Sequence, residues 1–348
     1  MDTTLCRRPP APYRRNRPEE ARMRVESQAT SVSWIPSEAV KGYTRPMFDA
    51  GISHYDDPPP GRVDDLEALR RADRFRFANV LRAWAEFGDD GRVIAHGAEG
   101  GGVMGSTTVR LGPLGLTLAA ISLPDLRTET VGDGFVTVTQ SAGGRTSFPM
   151  PRATGGIPRW RSPLVWTTIS ITLRADGTSD VTLSGASPFP RHWVYDAAGQ
   201  LILKAGVTDF KAWAAQRATP WGAEDSPVVV TAAETALERE LSRLIMRGTR
   251  KPAIRELKQG AALVRQGEPG ESLFLLLDGV VTVDVDGREL GQVGPGAVLG
   301  ERALLENGRR TATLTALTPI RVAEAAADTI DRAALEHLAQ GHRREEFA

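Results

Sequence analysis

The 348-residue chain has one thiol, Cys6, so no intrachain disulfide can staple the fold, and such sparing use of cysteine fits a reducing compartment. Long apolar runs are also missing. The longest, LTLAAISL (116–123) and SLFLLL (272–277), fall far short of the roughly 20 residues a membrane helix needs. The first thirty residues lack the apolar segment of a secretory signal. Net charge is absent too: 43 basic and 43 acidic residues cancel, and no global field draws the chain to nucleic acid or a membrane surface. A cytoplasmic protein that neither inserts in membranes nor binds DNA is expected. Lysine is scarce and arginine supplies nearly all the positive charge, a composition that points to a GC-rich bacterial genome.

Residues 1–30 are rich in Arg and Pro and poor in aliphatics, so they read as a disordered tail, with Met23 as an alternative start. The triple proline of YDDPPPG (55–61) breaks the chain. RVDDLEALRRADRF (62–75) then reads as a short amphipathic helix. Residues 31–216 are expected to form a β-rich domain of about eight antiparallel strands, a barrel or a sandwich. Its clearest hairpin is LVWTTISITLRADGTSDVTLSGAS, with RADGTS as the turn. VTDFKAWAAQ (207–216) reads as a closing helix and residues 217–230 as a linker.

The remainder, 231–348, opens with TAAETALERELSRLIMRG (231–248). Thr231 and Glu234 suggest a capping box, Gly248 a C-cap, and Ala233, Leu237, Leu241, Leu244 and Ile245 one apolar stripe. Seven short strands with glycines at their turns follow, and a helical tail spans 328–346. The whole chain is therefore expected to be mainly β, with flanking helices around the C-terminal roll.

Within that roll, GERALLENGRRTATLTA (300–316) reads as a short helix inserted between strands. Gly300 lets the backbone approach a ligand closely, and free amides at the helix start favour an anion. Arg310, opening the next strand, matches phosphate oxygens two at a time. Glu301 can accept from hydroxyls. Together they suit a phosphorylated sugar; a roll in which Glu301 and Arg310 simply pair is the alternative on the residues alone.

Gly-Glu-x-Ala-Leu-Leu, four residues, then Arg-x-Ala-Thr resembles the phosphate-binding cassette of cyclic nucleotide-binding domains. LKQGAALVRQGEPGESLFLLLDGVVTV (257–283) is similar to that family's first strands. The resemblance covers about 253–335. It implies an eight-stranded roll holding cAMP or cGMP without a metal, with Glu301 on the ribose 2′-OH and Arg310 on the cyclic phosphate. Gly300 and the amides near Arg302, Ala303 and Thr311 would complete the cradle. Arg302 departs from the aliphatic residue usual there. A hydroxyl at Thr311 bears on the choice between guanine and adenine; cAMP is the expected ligand. Leu335, Leu338 and Phe347 are the candidates for a lid over the base.

With Ala348 closing the sequence, no helix-turn-helix is expected after the roll, and the sequence carries no kinase or Walker glycine loop. Any output is expected to lie in the N-terminal domain, through a protein partner or further copies of the chain. No catalytic motif is recognised there. His54, Asp56 and Asp57, the run GAEGGGVMGS (97–106), and the cluster Arg191, His192, Trp193, Tyr195 and Asp196 lack metal spacing or a nucleophile–base pattern. A nucleotide-gated enzyme or a small-molecule site inside a barrel lined by Trp166 and Trp193 is the alternative.

Overall fold

The structure is a computed structural model that describes residues 22–36, 58–105, 107–111, 114–118, 120–145, 164–210, 213, 229–247, 252–306, 308–326 and 332–345. The N-terminal strands are β1 (Met23–Trp34), β2 (Phe77–Phe87), β3 (Val93–Met104), β4 (Thr107–Leu111), β5 (Leu114–Leu118), β6 (Ile121–Ser122) and β7 (Leu126–Gly132). They continue as β8 (Phe135–Arg145), β9 (Leu164–Arg174), β10 (Ser179–Ala186), β11 (Arg191–Tyr195), β12 (Leu201–Ala205) and β13 (Val230–Ala232). One antiparallel sheet runs β13-β12-β11-β1-β2-β3, and a second runs β10-β9-β8-β6 with β7 also on β8.

The two sheets form a sandwich. Alternation along β1 and β2 sends Val25, Ala29, Leu81, Ala83 and Phe87 inward, where they meet Val138, Ile169 and Ile171 of β8 and β9. A polar belt interrupts this core. Ser31 Oγ lies 2.7 Å from Thr167 Oγ1, and Asn79 Nδ2 donates to Thr167 O and Gln140 O. Gln140 Nε2 returns a bond to Asn79 Oδ1 at 2.6 Å. Each group is fully buried and each is bonded, which removes the penalty of an unmet polar atom. Beyond the belt Phe77, Val165, Phe189 and Trp213 form a second apolar cluster.

The folded chain starts earlier than its composition suggests. Met23–Thr30, inside the expected tail, pair residue by residue with β2, because Val25 and Ala29 alternate into the core. The helix expected over 62–75 contracts to α1 (Leu66–Arg71), capped by the Asp65 carboxylate on Ala68 N at 2.9 Å. The RADGTS turn is where it was expected, between β9 and β10, with Gly177 at φ 87°. The expected barrel lumen is absent among the described residues. Trp193 lies on the outer face of the first sheet, with Trp34 at 5.2 Å between ring centroids. Trp166 alternates with the inward Val165 and Thr167 and covers Gly143 and Gly185 on the outer face of the second. Of the closing helix expected at 207–216, residues 211, 212 and 214–216 lie outside the described residues; Trp213 N donates to Asp209 O at 3.1 Å.

The C-terminal roll follows α2 (Ala236–Arg247). Its strands are β14 (Ala253–Leu257), β15 (Ala262–Val264), β16 (Ser272–Asp278), β17 (Val281–Val285), β18 (Arg288–Val293), β19 (Val298–Leu299), β20 (Thr313–Ala316) and β21 (Ile320–Ala326). They form two four-stranded sheets, β14-β21-β16-β19 and β15-β20-β17-β18. The short α3 (Glu301–Leu305) is inserted before β20, and α4 (Arg332–Glu345) ends the described chain. Leu241 and Ile245 of α2 pack with Leu273, Leu275 and Val298 of the roll and with Leu335 and Leu338 of α4.

The capping box at the start of α2 is displaced from Thr231–Glu234 by four residues. Thr235 N donates to Glu238 Oε2 at 2.8 Å, and Glu238 N to Thr235 Oγ1 at 3.2 Å. The sequence repeats the pattern, TAAE then TALE, and only the second copy caps a helix. Thr231 instead lies in β13, so the first sheet reaches past the expected linker. Gly248 lies outside the described residues. Leu244 departs from the expected stripe, being 49% exposed while Leu241 is 1% exposed; the buried row is the i, i+4 series Leu237, Leu241, Ile245. Leu241→Ala is expected to lower the unfolding free energy by about 2–5 kcal/mol, and Leu244→Ala to change it by less than about 0.5 kcal/mol. Urea unfolding of the two variants checks the contrast.

Candidate functional site

The cassette is built by two turns of chain meeting a strand. Gly300 takes the left-handed conformation, φ 91°, which a side-chain-bearing residue reaches only at a cost. A Cβ there would also collide with the Arg310 guanidinium. From Gly300 the chain turns into α3, which buries Glu301 and Ala303 on one side and sends Leu304 and Leu305 toward α4.

Arg310 returns to the same place from the other end of the stretch. Its Nη1 donates to Ser272 O at 2.9 Å and Gly300 O at 3.4 Å, and its Nη2 to Ser272 Oγ at 3.2 Å. The guanidinium carbon lies 5.0 Å from the Phe274 ring centroid. Nε has no hydrogen-bond partner among the described residues. Burial lowers the pKa of this arginine, opposed by the charges of Glu324, Glu268 and Glu301. It stays a cation.

Glu301 and Arg310, at 4% and 6% exposure, line one cavity of about 350 Å³ with Gly300, Arg302, Ala303 and Thr311. All six residues that the sequence singled out are therefore brought together. Val264, Val283 and Leu299 supply apolar wall. Arg302 reaches toward Glu306, 3.7 Å away, with its stem along the cavity. A desolvated cation opposite an acid that can accept hydroxyl hydrogens suits a ligand with an anionic group and a sugar. Among the described residues no cluster of three His, Cys, Asp or Glu side chains is arranged for a metal ion.

Sequence reasoning missed the other side of the cavity. Ala232, Ala233, Glu234, Thr235 and Glu238 also line it, contributed by the end of β13 and the start of α2. The signal was present in the unused TAAE, whose glutamate has no helix end to cap. The lid candidates are placed differently: Leu335 and Leu338 are buried against α2 and the β16 sheet, and no described residue after Leu314 lines the cavity. Phe347 lies outside the described residues.

The polar cluster of the sandwich does not line the cavity of Glu301 and Arg310. Ser187 O can only accept, so His192 Nε2 carries the hydrogen of their 2.8 Å bond. Nδ1 then accepts from the Ser33 hydroxyl at 2.7 Å. Both residues are completely enclosed. Tyr195 donates to Pro60 O, Asp196 closes the β11–β12 turn by accepting from Ala198 N and Gln200 N, and Arg191 donates to Leu277 O in the roll. His54, Asp56 and Asp57 lie outside the described residues. Residues 97–104 of the Gly-rich run belong to β3, and Arg127 caps its open edge by donating to Ala98 O.

An acid and an arginine facing one cavity from the two ends of a glycine-started helical turn define a ligand-binding β-roll with an anion cassette. Residues 254–337 match the family model of the cyclic nucleotide-binding domain, and the C-terminal part of the chain is such a domain. The cGMP-dependent protein kinase egl-4 of Caenorhabditis briggsae is 38% identical over 65 residues, 19% of this chain and 9% of that protein. The cGMP-dependent protein kinase of Eimeria tenella is 34% identical over 79 residues, 23% of this chain and 8% of that protein. The chain thus spans less than a tenth of either kinase. Among solved structures, the regulatory domain of Toxoplasma gondii PKA with cAMP aligns at 28% identity over 29% of this chain and 45% of that one, with a TM-score of 0.24. The N-terminal domain of a transcriptional regulator from Streptomyces coelicolor A3(2) aligns at 25% identity over 32% and 94%, with a TM-score of 0.24. Among the described residues no helix is long and apolar enough to cross a membrane.

Burial lowers the His192 pKa from 6.5 to about 4, against the raising effect of its bond to Ser187. Between those values the unfolded chain binds a proton that the folded one refuses, so stability falls as pH drops from 6.5 toward 4 and this slope ends below 4. The loss expected from this residue is on the order of 3 kcal/mol. His192→Gln, which does not titrate, should flatten that part of the profile. Urea unfolding of both proteins at pH 7 and pH 4.5 reads the difference.

Proposed function

We propose that the chain is a cyclic nucleotide-responsive regulatory protein, in which the C-terminal roll takes cAMP and the N-terminal sandwich, or a protein that meets it, carries the response. The observation that carries this reading is that Arg310 and Glu301 line one cavity, with the guanidinium already largely desolvated and its Nε without a partner among the described residues. The cyclic phosphate is a monoanion with exocyclic oxygens for that guanidinium. The ribose 2′-OH donates to Glu301, and amides near Arg302, Ala303 and Thr311 complete the cradle. We assign the units as a β-rich N-terminal domain and a C-terminal nucleotide-binding domain that begins near residue 231. The enclosed Ser33–His192 pair and the filled sandwich favour a regulatory over a catalytic role, and the arginine-for-lysine usage fits a bacterial cytoplasmic source.

Arg310→Ala removes the cation assigned to the phosphate from a partly desolvated site. It is expected to weaken cAMP binding by about 2–5 kcal/mol, measured by calorimetry on the full chain. Binding of neither cAMP nor cGMP by the unaltered protein would sink the reading.

A second ligand, cGMP, is favoured by one observation: Thr311 lines the cavity beside Arg310, where its hydroxyl can accept from the exocyclic 2-amino group that guanine has and adenine lacks. The sequence relatives, being cGMP-dependent kinases, favour it too. Thr311→Ala separates the two. A cGMP-selective site loses about 1–3 kcal/mol for cGMP alone, whereas a cAMP site keeps its preference; competition titrations of both nucleotides decide.

A further inference from the structure

The cavity wall opposite the cassette belongs by its bonding to the sandwich. β13 pairs with β12 through Leu203, Lys204 and Ala205, and Ala233 N donates to Ile202 O at 2.9 Å. The chain leaves this sheet edge and passes at once into the wall as Ala232, Ala233, Glu234 and Thr235 before α2 begins. Lys204 of β12 forms an ion pair with Glu234 inside that wall, the two side chains being 3% and 5% exposed. The ammonium is also held 4.1 Å from the centroid of the Trp193 ring and 3.4 Å from Pro295 O of the roll. Burial lowers the Lys204 pKa to about 8, and Glu234 pulls it back up.

The fit of this segment to the roll depends on missing side chains. A Cβ at Gly294 would collide with the Thr231 hydroxyl. One at Gly296, where φ is 106°, would lie 2.6 Å from the Glu234 carboxylate. Gly294, like Glu234, lines the cavity. The described part of α4 does not line the cavity, whereas Ala232, Ala233, Glu234 and Thr235 do.

We propose that the segment Ala232–Thr235 is the lid of the ligand cavity and that the Lys204–Glu234 pair latches it, so that filling the cavity and seating the sandwich on the roll are one coupled event. This rests on the cyclic nucleotide reading above. Glu234 and Lys204 act as positioning residues: Lys204 fixes the carboxylate, and the carboxylate fixes the wall that a purine meets. A ligand that packs on this wall favours the seated arrangement by its differential affinity for it. The same coupling makes an unlatched lid a weaker binding site.

The test uses the full chain with cAMP and cGMP as probes. Amide hydrogen exchange of the unaltered protein is expected to slow at least threefold on nucleotide addition at Leu201–Ala205 and Val230–Ala232, far from the cassette in sequence. Lys204→Met, which leaves Glu234 unpaired in the wall, is expected to weaken binding at least fivefold and to abolish that protection. Adding Glu234→Gln is expected to restore part of the affinity, as the two changes are not independent. Gly294→Ala tests the same seat without touching a charge, and the same loss of protection is expected. Nucleotide binding with unchanged exchange at both strands overturns the lid but leaves the nucleotide reading standing, as does undiminished affinity and protection in both Lys204→Met and Gly294→Ala. An unaltered protein that binds neither nucleotide overturns both readings.

Discussion

Arg310 is a cation held among backbone carbonyls and an aromatic ring, and the architecture of the roll is arranged around keeping it there. Removing a guanidinium from water costs several kcal/mol unless its hydrogens are met. Ser272 O, Ser272 Oγ and Gly300 O meet part of that need, two of them from one strand residue and the third from the turn before α3. The strand β16 brings Ser272, the left-handed turn at Gly300 brings its carbonyl, and Phe274 offers the face of its ring. Among the described residues the need is met incompletely, since Nε has no hydrogen-bond partner there. A cation built into a wall with spare hydrogen-bonding capacity has its desolvation already spent when an anion arrives, which is how binding sites gain affinity without rearrangement.

The same economy of space recurs between the roll and the sandwich. Asp278 ends β16 and accepts from Thr208 N, Thr208 Oγ1 and Arg191 Nη2. Next to it Gly279 N donates to Gly206 O at 2.7 Å, a backbone approach that a Cβ on Gly206 would block by striking Val280. Charged groups from the outer face of the first sheet, Arg191 and Lys204, thus reach the roll only 13 residues apart in sequence. Trp34 and Trp193 lie between them. A face of this kind is polar where it is specific and aromatic where it is buried, as interfaces between domains are.

The roll was legible from the sequence because each of its features is local. Period-2 strands, glycines at positive-φ turns such as Gly267, Gly279 and Gly287, and a glycine-acid-arginine spacing all act within a few residues of one another. The sandwich was legible only as a class. Whether β1 begins at Met23 or later depends on a partner strand more than fifty residues away. Whether Trp193 faces in or out depends on the register with β1, which one residue of slip would invert. The surroundings of His192 were illegible for the same reason: its serine partner, Ser33, lies 159 positions away, and nothing in FPRHWVYD shows that the ring is enclosed.

The misplaced capping box joins these two levels. TAAE and TALE are equivalent by local chemistry, since both offer a threonine and a glutamate at the spacing a helix start uses. Strand pairing decides between them. Once Val230–Ala232 is taken up as the last strand of the first sheet, Ala232 is extended where the first helical residue would have to be, and Thr231 caps nothing. Glu234 is then left facing Lys204 instead of an orphan amide. A long-range contact thereby turns a local helix signal into a wall of the ligand cavity. This is why the residues of the cassette could be read from the sequence while those that line the same cavity from β13 and the start of α2 could not.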